Sequence, residues 1–381
     1  GGPKIVAPGI GAPENGGAAI PAPVILLNSD AFVPEGWASR LIRPMLADKR
    51  IASTTPMSND AELFSVPGIC ARVPLAPGQG DAIDRVARGF APGAGDAPAP
   101  TGVGFCMALS PDWLARVPQF DAAFGAGYGE DVDWSLKTSA LGARHVGVAN
   151  LFVEHRGGAS FGAARKQRLI AQNGAAVAAR YPSYGTDVQD YLQADPMITP
   201  RLALAIAWAA AQGETRAAQG AAQGAGDGRI PLYLAHMMGG GVEYYQRQRL
   251  TGDIARGGAA VVLRVGGPLR WRLELHAATG VTQGETDDFA LIQRLLAPLK
   301  RRHILYSCAV GDRDPLTIPD RLLDLYRAGQ DRLEVLFHDF FPLSPSFTLL
   351  GRDGQFAGVP MPPSSGPSSS GPTISAPPSS D

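Results

Sequence analysis

The hydrophobic and polar positions of this chain fall into blocks that read as alternating strands and helices. Pro23-Val24-Ile25-Leu26-Leu27 is a short apolar run closed by Asn28-Ser29-Asp30, the pattern of a strand buried on both faces. Trp37, Leu41, Ile42, Met45 and Leu46 then recur at helical spacing and predict a helix packed back on the sheet. Residues 50–55 predict a second strand, 56–100 an irregular connection punctuated by Pro, Gly and Asn, and 102–109 a further strand. Ser110 then reads as a helix N-cap with Pro111 at the first helical position.

A glycine-punctuated turn, Gly125 to Gly129, leads into the acidic helix start Glu130-Asp131-Val132-Asp133-Trp134, which Gly142 ends. Residues 143–154 predict a strand ending at His155, and residues 162–180 and 200–212 predict Ala-rich helices. The Ala-Ala-Gln-Gly text of 217–224 reads as a flexible linker. A second α/β block follows: strands at 230–235, 261–265, 303–308 and 333–338, a helix at 287–299, and a parallel sheet implied by the alternation. The expected division is therefore an irregular segment at 1–22, a first domain at 23–200, helix and linker at 201–229, a second α/β domain at 230–358, and a disordered Pro/Ser tail at 359–381.

Composition narrows the functions available. With 34 Lys+Arg against 35 Asp+Glu the net charge is -1, so no field gathers nucleic acid or an anionic membrane. The three cysteines, Cys70, Cys106 and Cys308, lack the spacing of a disulfide framework or a zinc site, which points to a reducing cytoplasm. No apolar run approaches the roughly 18 residues of a membrane span, so any membrane attachment is expected to be peripheral.

Three chemical elements fall at corresponding places: Asp30 after one strand, Glu130-Asp131 at a helix start, and His155 after a later strand. In open α/β sheets the carboxyl ends of strands are where ligands bind. A carboxylate and an imidazole, completed by diphosphate oxygens, suit Mg2+ or Mn2+, and a further acid nearby serves as a general base for an incoming hydroxyl. Each element has a plainer reading too. Asp30 can cap its turn, Glu130 and Asp131 can be acids placed for the helix dipole, and His155 can be a hydrogen-bonded structural histidine. Trp134 is open between stacking on a sugar and packing in the core, while Gly239-Gly240-Gly241 reads as a turn before a phosphate cradle.

The stretch Val24-Ile-Leu-Leu-Asn28-Ser29-Asp30-Ala-Phe-Val-Pro-Glu-Gly-Trp37 resembles the DxD region of family 2 glycosyltransferases, with Asn28 in place of the first acid. Thr55 to Asn59 and Thr101-Gly102-Val103-Gly104-Phe105-Cys106-Met107 look like further stretches of that family. Gly127-Tyr128-Gly129-Glu130-Asp131-Val132-Asp133-Trp134 is similar to its acceptor-site motif, and Val153-Glu154-His155-Arg156-Gly157-Gly158-Ala159-Ser160-Phe161 to the motif whose His completes the metal site. The resemblance spans roughly residues 20–185. It implies a GT-A, Rossmann-like mixed sheet, Asp131 as catalytic base, and Asp30 and His155 as ligands of Mg2+ or Mn2+. Asn28, Ser29, Gly104, Gly127, Tyr128, Gly129, Glu130 and Trp134 would contact donor and acceptor.

The implied partners are a nucleotide-sugar donor and a glycan or lipid-linked hydroxyl acceptor, with inversion at the anomeric carbon and no nucleic acid. Family members place a βαβ nucleotide-binding portion ahead of the DxD motif, so the domain is expected to be incomplete at its N-terminal side. His236-Met-Met-Gly-Gly-Gly-Val-Glu243 and Leu336-Phe-His338-Asp339-Phe-Phe-Pro342 resemble the N-terminal half of a GT-B domain, giving a second, partial Rossmann-like α/β domain. The competing expectation is a remnant that binds carbohydrate or a partner protein without turnover.

Overall fold

A computed structural model of the chain describes residues 22–125, 127–157, 163–223, 227–356 and 358. Nearly all of the irregular segment expected at 1–22, the expected tail at 359–381, and the last residues of the histidine motif, 158–161, lie outside them. The protein is mixed α/β with two mixed sheets, and the chain divides into two compact units, one ending at Leu204 and the other starting at Ala205.

In the first unit, strands β1 (Val24–Leu27), β2 (Ala31–Phe32), β3 (Ile51–Ser58), β4 (Ala97–Ala99), β5 (Cys106–Leu109) and β6 (Arg144–His155) form a sheet in the order β1-β5-β3-β6-β2, with β4 also on β6. Strand β3 is buried along its whole length because it is paired on both sides, antiparallel to β5 and parallel to β6. The helices of this unit are α1 (Trp37–Ala47), α2 (Gln79–Arg88), α3 (Pro111–Arg116), α4 (Glu130–Ala140), α5 (Ala163–Arg180) and α6 (Tyr184–Ala194). The alternation of the pleat on β6 decides the rest: successive side chains leave on opposite faces, so His155 and its neighbours Glu154 and Arg156 serve different surfaces. Helix α7 (Ile198–Gln223) carries the division between the units.

In the second unit, β7 (Ile230–His236), β8 (Ala259–Val265), β9 (Trp271–Ala277), β10 (Gly280–Thr286), β11 (Arg302–Tyr306) and β12 (Arg332–Val335) lie in the order β10-β9-β8-β7-β11-β12. Helices α8 (Gly241–Gly257), α9 (Phe289–Leu296) and α10 (Ile318–Leu325) connect them. Strands β8, β7, β11 and β12 run parallel, which agrees with the expected alternation.

Several expectations are corrected. Strand β1 is an edge strand paired only with β5, so Val24 and Leu27 are each 41% exposed rather than buried on both faces. The connection at 56–100 contains α2, whose Ile83 and Ala87 are buried, and the strand β4. The strand expected at 102–109 shortens to β5; Gly102, ahead of it, lies against Met107 and Ser53, where a Cβ would meet side-chain atoms at 2.7 and 2.8 Å. The Ala-rich text expected to be a linker is helical through Gln223, as the high helix propensity of alanine favours. The parallel sheet of the second unit is mixed, since the β9–β10 hairpin adds two antiparallel strands at one edge. Ser110 does take the N-cap position of α3, but its side chain makes no capping bond.

One buried ion pair ties α1, α2 and β6 together. Arg40 holds Asp84 through two bonds of 2.9 Å and also donates to the Asn150 carbonyl, while Asp84, 2% exposed, accepts the Phe152 N–H. Removing one partner leaves the other charge buried without compensation. Asp84→Ala is therefore expected to lower unfolding free energy by about 3–5 kcal/mol, read from urea midpoints. Asp112→Ala, which breaks an exposed pair with Lys49 at 3.6 Å, is the control, with an effect below about 1 kcal/mol.

Candidate functional site

The β1–β2 turn and the end of β6 meet because Ala31 and Phe32 pair with His155 and Glu154. Asn28 N–H donates to the Phe105 carbonyl (2.8 Å), which pins the start of that turn to the loop before β5. Asp30 Oδ1 then lies 3.5 Å from His155 Nε2, and Asn28 Nδ2 stands 3.5 Å from the same nitrogen. The Phe105 ring stacks on the His155 imidazole at 5.0 Å between centroids. Ser29 is exposed on the outside of the turn.

The other imidazole nitrogen decides the tautomer. His155 Nδ1 is 2.7 Å from the Asp60 carbonyl oxygen, which can only accept, so Nδ1 carries the proton. In the neutral ring the Nε2 lone pair then accepts from Asn28 Nδ2 and lies beside Asp30. The backbone of His155 is held as firmly. Its N–H donates to Asn59 Oδ1 (2.8 Å), and Asn59 Nδ2 donates to its carbonyl (2.8 Å) and to that of Val73 (2.9 Å).

The acidic helix start approaches from the other side. Asp131 Oδ2 accepts the Gly104 N–H (2.8 Å) and its Oδ1 accepts the Val132 N–H (2.9 Å). A glycine at 104 eases this approach, since a Cβ there would stand 3.2 Å from Asp131 Oδ2, a tight contact. Burial pushes the Asp131 carboxyl above its ordinary range, against the opposing pull of those N–H groups. Glu130 is raised as well, first by burial and then by the charge of Asp131, and its Oε2 is buried without a hydrogen-bond partner. Tyr128 sits in the left-handed region (φ 69°) between Gly127 (φ 122°) and Gly129 (φ 121°). Its phenol is raised by burial and then by the charges of Asp30 and Glu130, which makes it the neighbour common to the two acidic elements.

The structure thus gathers Asn28, Asp30, Gly104, Gly127, Tyr128, Gly129, Glu130, Asp131 and His155 around one region of the first unit. Trp134 does not join them. It is 0% exposed, packs with Met107, Leu109 and Trp113, and donates its indole N–H to the Val117 carbonyl (2.9 Å), so the expected sugar contact is replaced by a core role. Asn59, Asp60 and Tyr184 belong to the region and carried no site assignment from sequence. Tyr184 bonds the Thr101 hydroxyl at 3.5 Å, and its phenol is raised by burial and then by nearby charges that include Asp131.

Asp30 and His155 are the residues that could hold a divalent cation. Two ligands about 2.1 Å from such an ion at near-right angles stand roughly 3 Å apart, close to the separation found here. A bonded carbonyl behind the histidine is the usual way to orient a metal-binding imidazole. Among the described residues no set of three or more His, Cys, Asp and Glu side chains converges on one point, so the remaining ligands would come from water and substrate oxygens.

In the second unit, Gly239 and Gly240 have positive φ and lead into α8. At the carboxyl end of the sheet Asp339 is 0% exposed and accepts from the Tyr306 hydroxyl (2.7 Å) and the Ala309 and Phe341 N–H groups. Asp339 is thereby committed to bracing its own loop.

No protein-family model matches this chain, and no curated protein is similar enough to match it.

The raised carboxyl of Glu130 gives a stability prediction. A group whose folded pKa lies above its unfolded value contributes stability below the unfolded pKa and loses it as pH rises through the folded one. Glu130→Gln removes a carboxylate that is poorly solvated at neutral pH, so it is expected to stabilise the fold by about 1 kcal/mol at pH 7. The gain should fade toward pH 4, where the wild-type group is protonated. Thermal melts of both proteins across that range check it, and an equal difference at every pH would remove the buried charge as the cause.

Proposed function

We propose that the chain is a glycosyltransferase that moves a sugar from a nucleotide-diphosphate donor to a hydroxyl of a glycan or lipid-linked acceptor. The observation that carries this reading is the His155 imidazole, fixed through Nδ1 so that Nε2 is turned toward Asp30 at 3.5 Å, beside the buried acids of α4. The likeness of these residues to family 2 glycosyltransferase motifs supports the same reading and implies inversion.

Asp30 and His155 would hold Mg2+ or Mn2+, which when bound neutralises the charge that develops on a departing diphosphate. The chain's residues supply the rest. Asp131, raised by burial, is a stronger base than an exposed aspartate and takes the proton of the attacking hydroxyl. The Gly104 and Val132 N–H groups fix its orientation, and Tyr128 stands where donor and acceptor elements meet. The same proposal places this activity in the cytoplasm; no helix among the described residues is long and apolar enough to cross a membrane.

Titration of UDP in the presence of Mn2+ is expected to give metal-dependent binding that Asp30→Ala abolishes. Asp131→Asn is expected to retain that binding while lowering transfer about 10²–10⁴-fold. Transfer by the wild type should decline as pH falls through the raised pKa of Asp131, because the base must be ionised. Binding that ignores both Mn2+ and Asp30→Ala would reject the assignment and leave a carbohydrate- or protein-binding chain without turnover.

A further inference from the structure

A second cleft, of about 260 Å³, opens on the other face of the same strand end. His155 faces the acidic region, whereas Glu154 and Arg156, one residue to either side, line this cleft together with Phe32, Pro34, Pro77 and Asp81. Glu154 is only 8% exposed, yet it is placed on a cavity wall rather than in the core. Its Oε1 accepts from Arg156 Nε at 2.7 Å, and the Arg156 guanidinium carbon lies 3.6 Å over the Phe32 ring. Its second oxygen is turned toward Gly80, where a Cβ would stand 2.7 Å from Oε2, so residue 80 has to stay bare for the carboxylate to keep its position.

The walls are preorganised. Helix α2 is clamped to β6 through the Asp84 carboxylate, and Arg88 donates to the Glu35 carbonyl just beyond Pro34. A buried carboxylate beside an exposed guanidinium offers an acceptor and donors together, and the prolines with Phe32 offer an apolar surface. The charge balance decides the ligand class. Glu154 and Asp81 set two carboxylates against the single guanidinium of Arg156, which disfavours a phosphate or another anion. Neighbouring hydroxyls that both donate and accept, on a ring with an apolar face, match the wall instead. We propose that this cleft binds a neutral pyranose unit, supplied by the acceptor glycan. Only the source of that sugar rests on the glycosyl-transfer reading.

Saturation-transfer NMR on the full chain tests this with methyl glucopyranoside, methyl galactopyranoside and methyl mannopyranoside, in the absence of metal and nucleotide. At least one is expected to receive saturation, strongest at its ring protons. Asp81→Trp, at an exposed position on the cleft's rim, should cut the signal about tenfold or more, equivalent to 1.4 kcal/mol of binding. Phe32→Ala should weaken it as well, with circular dichroism confirming that both variants are folded. No transfer to any of the three glycosides, or equal transfer in Asp81→Trp, overturns the proposal. Titration of UDP with Mn2+ on the same preparations separates the two readings. Nucleotide binding without glycoside binding removes the second cleft alone, while glycoside binding lost in Asp81→Trp without nucleotide binding keeps the cleft and removes the acceptor as its source.

Discussion

The Asn59 amide holds both backbone groups of His155, and the candidate site depends on that clasp. Asn59 is 3% exposed, so its bonds form where water does not compete for them. The clasp fixes the last residue of β6 in translation, and the Asp60 carbonyl fixes its ring in rotation. Two adjacent residues at the end of β3 thus set both the place and the tautomer of a side chain from another strand. Once His155 is fixed, the period of two fixes Glu154 and Arg156 on the reverse side, so one strand end serves two surfaces.

The start of α4 shows a competition between helix dipole and burial. The dipole favours acids in the first turn, worth a few tenths to about 1 kcal/mol at an exposed terminus. Here Glu130, Asp131 and Asp133 occupy that turn, and their surroundings divide them. Asp133, 0% exposed, is neutralised by Lys137 (2.6 Å) and Arg180 (3.0 Å) and bonded by Tyr181 (2.8 Å). Asp131 has only N–H donors, and Glu130 Oε2 has none. For Glu130 and Asp131 desolvation outweighs the dipole, and their carboxyls rise. The same helix therefore carries one ion-paired acid and two whose carboxyls burial raises.

Much of this was legible in the sequence, and what was not has identifiable causes. Strand ends were marked by Asn28-Ser29-Asp30 and by His155, and helix starts by Pro111 and Glu130, because turn and cap chemistry is local. Helix α2 is also written in the chain: Ala82, Ile83, Val86 and Ala87 have helical spacing, although the Pro and Gly on either side read as loop punctuation. The partnership of Asn59 with His155 was not legible, since 96 positions separate them and only tertiary pairing of β3 with β6 brings them together. Trp134 failed for a related reason. Four residues after Glu130 it shares a helical face with that acid, but spacing does not say whether the face meets solvent or the cluster around Met107 and Leu109.

Burial of His145 makes the contrast with His155 instructive. Both lie on β6 and both bond a neighbour through Nδ1, His145 to the Ser53 hydroxyl at 2.7 Å. His145 is 1% exposed, its Nε2 is taken by the Ser135 carbonyl (2.9 Å), and burial pulls its pKa down to about 4, so it is a neutral, saturated core group. His155 has its second nitrogen turned to a carboxylate and an amide at a partly open strand end. Ten residues apart on one strand, the same side chain is structural where both nitrogens are satisfied by neutral groups of the core. At His155 one nitrogen instead meets an amide and an acid at the strand end.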